Sequence, residues 1–533
     1  MKLSINELKN KELWEQKGYT LPSFNIEEVR QNTKKNPTWL HLGAGNIFRA
    51  FPAAVHQDLL NEGLCDTGII VCEAFDEEII EKAYAPYDNL SILATLKSDG
   101  HIDKKVIASV TESIEASKGM DRLVEIFESP SLQMVSFTIT EKGYSLTNAK
   151  GEYFPDVDNE LNNFIENPKS IIGRVAMLSY KRYLAGKLPV SFVSMDNCSQ
   201  NGTKLYDAVS AFVDKWVEKG FVGEDFREYM NNSEYVYFTW SMIDKITPRP
   251  SDDVREILAN DGIEDTEIVC TSKNTYVSSF VNAEQAQYLA IEDRFPNERP
   301  PLEKGGVMFS DRETIDKIEK MKVGTCLNPL HTILAVYGCL LGYNSISDEM
   351  NNKYLKAFVE KAGYVEGLPV VVDPGIINPN DFIKEVIEER FPNPFLKDTP
   401  QRIACDTSQK IPVRFGETLK AYVEAGKDVS SLTYIPLFFA GWIRYLMGVD
   451  DKGNSFTKSP DPMLDVYSKY VEDIELGDKG PFADKLKPIL SDDKLFGVDL
   501  YKYNLAEKVV KIFTELVVGV GAIEDALKKY LDI

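Results

Sequence analysis

The chain is poor in the residues that build metal clusters and disulfide frameworks, with four histidines and seven cysteines among 533 residues. His41, His56, His101 and His331 are dispersed, and Cys65, Cys72, Cys198, Cys270, Cys326, Cys339 and Cys405 form no C-x-x-C pair. Such spacing argues against a histidine–cysteine metal site and fits reduced thiols in a cytoplasmic protein. Positive charge is also short: 60 Lys and Arg against 83 Asp and Glu give a net charge of −23. Nucleic acid and anionic membrane are therefore excluded as general partners. A small anionic substrate in one cationic pocket is not. No window approaches the run of about 18 apolar residues expected of a membrane helix. The opening "MKLSINELKNKELWEQKG" has no apolar core of signal-peptide type.

What is present is a 43% hydrophobic, 11% aromatic composition, enough at this length for two or three domains. Residues 1–36 are polar and read as an N-terminal helix or arm. From residue 37, apolar runs ("TWLHLG", "GIIVCEAF", "MVSFTITEKGY", "PVSFVSMDN") alternate with helical stretches such as "DRLVEIFESP". That alternation predicts an α/β domain, a parallel sheet wrapped by helices. The Pro/Gly-rich "PNERPPLEKGG" marks its end near residue 305. Residues 306–533 are mainly α-helical, with helical spacing over 314–322, 329–342, 348–363, 379–390, 415–426, 431–447 and 504–531.

Five stretches could carry chemistry. In "HLGAGNIFRA", Gly43 and Gly45 with Asn46 sit where a strand meets a helix, with Phe48 where the dinucleotide fingerprint has a third glycine. A plain tight turn and a pyrophosphate cradle are both open readings. On the second, Glu73 at the end of the next strand would take the ribose hydroxyls, with Asp76 as the alternative. The absence of an arginine beside them favours NAD over NADP. In "SMDNCSQNG", Asp196 and Asn197 end a strand where open α/β sheets place ligands, while Asn201-Gly202 reads as turn chemistry. Asp244 in "MIDKITPRP" and the cations Arg402 and Lys410, eight residues apart, are each read as surface groups or substrate contacts. In "KMKVGTCLNPLHT", Asn328-Pro329 predicts a helix start capped by Asn328. A lysine of lowered pKa could donate a proton to a ketone oxygen, and asparagine with histidine could polarise it.

Together these stretches, spread over residues 38–445, resemble the polyol-specific long-chain (mannitol) dehydrogenase family, which includes mannitol 2-dehydrogenase, fructuronate reductase (D-mannonate oxidoreductase) and tagaturonate reductase. The resemblance implies an N-terminal Rossmann-type doubly wound sheet, a helical substrate domain and a metal-independent site between them. It implies Lys322 as general acid/base, Asn328 and His331 as the oxyanion pair, and Glu319 as the nearby glutamate. Asn197, Asp244, Arg402 and Lys410 fall on substrate-contacting positions. One residue more than the family pattern separates Lys322 from Asn328, a bulge in a pre-helical loop that leaves Lys320 as rival donor. The form "CLNPLHT" points to the uronate-reductase branch, with NAD-dependent reduction of D-fructuronate to D-mannonate as the expected reaction. Mannitol 2-dehydrogenase and tagaturonate reductase are the alternatives within the class. A non-catalytic NAD- or sugar-acid-binding sensor is the alternative outside it.

Overall fold

The computed structural model describes residues 1–533, which divide into two compact units. The first holds Met1–Lys97 and His101–Asp316. The second holds Lys317–Ile533 and takes in residues 98–100.

The first unit is built on six strands: β1 (Trp39–Leu42), β2 (Ile69–Glu73), β3 (Val110–Glu115), β4 (Met134–Phe137), β5 (Val190–Ser194) and β6 (Val236–Thr239). All pair in parallel, in the spatial order β3-β2-β1-β4-β5-β6. This is the 3-2-1-4-5-6 order of a Rossmann sheet, with its topological switch point between β1 and β4. The strands read as continuous apolar runs because helices cover both faces. Leu40, Ile70, Val135 and Phe192 face one core, shared with Leu123, Val175 and Phe212 from helices. Their neighbours Trp39, Val71, Met134 and Val193 face the other, with Ala53, Val55 and Ile79.

The residues expected to form an arm are part of this unit. Trp14 is fully buried, and Tyr19–Thr20 pairs with Lys104–Lys105 in a second sheet of four strands. A third, three-stranded sheet joins Ser241–Asp244 to Tyr288–Glu292 and Met308–Ser310. Neither small sheet was expected from the sequence.

The second unit is helical. Its apolar helix Asn328–Leu341 packs against Tyr434–Tyr445, which in turn packs against Ala506–Leu516. The long stretch expected over 504–531 is two helices, Ala506–Leu516 and Ala522–Leu531. Arg312–Leu341 runs as one 30-residue helix that passes the test of length and composition for a membrane span. Its most apolar window is 72% buried within the protein, the property of a core helix. All seven cysteines are free thiols.

Candidate active site

At the carboxyl edge of the sheet, β1 runs into Gly43, whose φ of +111° suits glycine alone. A Cβ there would lie 2.2 Å from the carbonyl oxygen of Thr138, so the turn after β1 is pressed against the exit of β4. Gly45 differs: its Cβ would meet nothing within 4 Å. It precedes the short helix α1 (Asn46–Ala50), which breaks at Phe51 before α2 (Pro52–Asn61). Phe48, in place of the third glycine, stacks its ring on His41 of β1 with centroids 4.1 Å apart. Burial drives the His41 pKa down to about 3, so this stack is neutral.

Glu73, at the end of β2, is nearly buried and turned inward. Its carboxylate accepts the backbone N–H of Ala44 at 2.7 Å and those of Ala74, Phe75 and Asp76 at 3.1, 2.9 and 3.2 Å. It therefore ties the glycine turn to the end of β2. Asp76 accepts from the Thr271 hydroxyl at 2.7 Å, and its other oxygen is buried without a partner. The Oδ1 of Asn46 is also buried and unpartnered.

At the end of β5, Asp196 is buried and Asn197 exposed. Asn201 is not a simple cap. It is 1% exposed and satisfies Asp196 O, Ser241 O, Gly202 N and Ser241 N, joining β5 to the third sheet. Asp244, at the end of a strand of that sheet, is buried.

In the helical unit, the pre-helical loop expected before Asn328 is absent. Lys322–Cys326 is a π-helical turn inside the continuous helix, closed by the Leu327 N–H donating to Lys322 O at 3.1 Å. Asn328 is consequently not a cap but the first residue of the next α-helical segment. Pro329 has no N–H to give, and the widened turn before it accommodates its ring. Lys322 is 2% exposed, whereas Lys320 faces solvent.

His331 lies one turn on and is tilted against Phe391 with ring centroids 5.2 Å apart. Its Nε2 is buried without a hydrogen-bond partner, 3.7 Å from Asp398 Oδ2, too far for a bond. Burial pushes its pKa down to about 3, helped by the positive charges of Arg414, Arg402, Arg390 and Lys410. Arg402 is itself paired with Asp398. Lys410 donates to the carbonyls of Ile403 and Cys405, and burial lowers its pKa. The sequence reading named Arg402 and Lys410 but missed Arg390, Arg414 and Asp398. The motif "RFPNPFLKD" around Arg390 and Asp398 was the available signal.

Two family models match the chain: the mannitol dehydrogenase Rossmann domain over residues 37–304 and the mannitol dehydrogenase C-terminal domain over 314–517. A D-mannonate oxidoreductase of Thermotoga maritima is 51% identical over 535 residues, covering 99% of each chain. A D-mannonate oxidoreductase of Escherichia coli is 29% identical, covering 86% of this chain and 89% of that one. Among solved structures, the Pseudomonas fluorescens mannitol 2-dehydrogenase ternary complex with NAD and D-mannitol aligns over 100% of both chains, with TM-score 0.70 and 25% identity. A substrate-free D-sorbitol dehydrogenase shares the fold at TM-score 0.78 and 24% identity, over 95% of this chain and 97% of that one. With a Rossmann sheet, a helical unit carrying the Lys–Asn–His segment and matches across most of its length, the chain is an oxidoreductase of the mannitol dehydrogenase family.

Proposed function

We propose that the protein is an NAD-dependent reductase of a keto sugar acid, interconverting D-fructuronate and D-mannonate by hydride transfer at C2. The observation that carries the uronate reading is the surround of His331. Four cationic side chains, Arg390, Arg402, Lys410 and Arg414, act on this one ring in a chain of net charge −23. Asp398 lies 3.7 Å from the ring and pairs with Arg402. Such a cluster of cations favours a substrate carboxylate, which arginine binds through paired hydrogen bonds. The relatives named D-mannonate oxidoreductase support the same reading.

The sheet edge fits a dinucleotide. Its strand order places a switch point beside Gly43, Gly45 leaves open space beside the turn, and Asn46 keeps a buried acceptor free. NAD, when bound, supplies or accepts the hydride. Asp76, with one carboxylate oxygen left without a partner, would take a ribose hydroxyl, while Glu73, turned into the glycine turn, would disfavour a 2′-phosphate through its charge alone. Asn197 and Asp244 contact the sugar hydroxyls.

In reduction, C2 takes the hydride and its oxygen takes a proton from the Lys322 ammonium; in oxidation Lys322 removes that proton. Asn328 and His331 hydrogen-bond the same oxygen as negative charge develops. His331 does so as neutral imidazole, its low pKa keeping it uncharged at any working pH. Burial of Lys322 beside exposed Lys320 supports Lys322 as the donor.

The test compares NADH oxidation with fructuronate, tagaturonate and fructose at equal concentration. Preferential turnover of fructuronate is expected. Turnover of fructose alone would overturn the uronate reading. Lys322→Ala should abolish turnover while NADH binding persists, and loss in Lys320→Ala instead would reassign the donor.

A further inference from the structure

Between β4 and the short helical turn Thr140–Gly143 the backbone does something costly. Thr140 has φ +62°, a left-handed conformation that a β-branched residue rarely adopts. The residue is exposed, so packing does not demand a threonine there, and glycine would adopt the same backbone without strain. Strain of this kind persists only when its surroundings hold it, and it gathers at binding and catalytic sites.

The holding group is Asp196. Its carboxylate accepts the N–H of Ile139 at 3.0 Å, the N–H of Thr140 at 2.8 Å and the hydroxyl of Tyr144 at 2.5 Å. Tyr144 lies 2.5 Å from the Ser194 hydroxyl as well, so the network reaches back into β5. The strained residue stands at the switch point. Thr138, two residues earlier, donates its N–H to Leu42 O at 2.9 Å and has its carbonyl against Gly43.

We propose that Asp196 is a positioning residue that holds Thr140 in its left-handed conformation, so that the exit of β4 forms the shelf for the nicotinamide-ribose half of the dinucleotide. The inference rests on the dinucleotide reading above and adds a division of labour to it. The glycine turn and Glu73 serve the adenosine diphosphate half. Asp196, Thr140 and Tyr144 serve the other half and set Asn197 beside it.

The experiment measures dissociation constants for NADH and for ADP, which lacks both the nicotinamide and its ribose, by fluorescence titration, with ADP read by displacement of NADH. The proteins are the wild type, Asp196→Asn, Tyr144→Phe, Thr140→Gly and the double variant Asp196→Asn/Thr140→Gly. Asparagine turns an N–H toward a backbone N–H, so Asp196→Asn should weaken NADH about tenfold and leave ADP unchanged. Tyr144→Phe, a milder change that keeps the ring, should shift NADH the same way by less. Thr140→Gly removes the strain and should restore NADH affinity in the double variant. Equal weakening of both ligands would overturn the assignment, because Asp196 would then be structural only. An unrescued double variant would overturn it too, since Asp196 would not act through residue 140. A wild type that binds neither ligand would sink the dinucleotide reading, and the shelf with it.

Discussion

The guanidinium of Arg414 donates to the backbone carbonyl of Asn328 at 3.2 Å and to the Thr332 hydroxyl at 2.5 Å. One π-turn, Pro412–Gly416, is thereby tied to the helix that follows another, Lys322–Cys326. Charged hydrogen bonds of this kind are worth about 1.5–3 kcal/mol each before solvent screening. Arg414→Met should lower the melting temperature, reduce kcat and let the His331 pKa rise, as read by NMR titration of the ring. The ring should remain below its usual value, because burial is the larger cause of its depression. Arg414→Lys keeps the charge but loses the planar Nη1 that makes both bonds, so it should preserve more stability than kcat.

The two glycines of the turn after β1 should fail differently. Gly43→Ala sets a methyl 2.2 Å from Thr138 O at a φ that alanine resists, so this variant should be poorly folded by circular dichroism. Gly45→Ala meets nothing within 4 Å. It should melt close to wild type yet bind NADH at least about tenfold more weakly, because its methyl projects into the space the ligand would fill.

Glu73 gathers four backbone N–H groups, so Glu73→Gln forces an amide N–H2 against donors. A loss of about 1–3 kcal/mol in urea denaturation follows from one unsatisfied buried group. The kcat/KM ratio of NADH to NADPH should fall in the same variant, since the carboxylate no longer repels a 2′-phosphate. A wild type that prefers NADPH would overturn that role.

Three buried histidines set a common acid response. His41 and His331 have pKa values near 3 and His56 near 4, each depressed first by burial. Unfolding returns each ring to about 6.5, so the unfolded chain binds more protons between those values. Stability is full above about pH 6.5 and falls as pH drops toward 4, by about 1.4 kcal/mol per pH unit per ring. Denaturation midpoints across pH 7.5 to 5 should show this slope, and His56→Gln should flatten it by one ring's share.

The sheet was legible because buried parallel strands are apolar throughout and the intervening helices are amphipathic. The two smaller sheets were not, because Tyr19–Thr20 and Met308–Ser310 are too short to show a period and are specified by distant partners. Gly43 could be read from its place at a strand end. That Phe48 replaces the third glycine by stacking on His41 could not, since it depends on two rings meeting across elements. Asn328-Pro329 looked like a helix start because that pairing is typical of one. The structure instead places it after a widened turn, a hydrogen-bond pattern with no composition of its own. Arg414 was passed over because its partners lie more than eighty residues away.

The π-turn Lys322–Cys326 has a consequence for reading relatives. A turn closed one residue later than its neighbours is an insertion written into a helix without swinging the downstream face around the axis. Counting residues between a lysine and an asparagine is then a poor ruler, because a family can gain or lose one here while both side chains keep their directions. Position along the axis is the quantity to compare, and an alignment that enforces constant spacing back from Asn328 would pair the lysine with Val323.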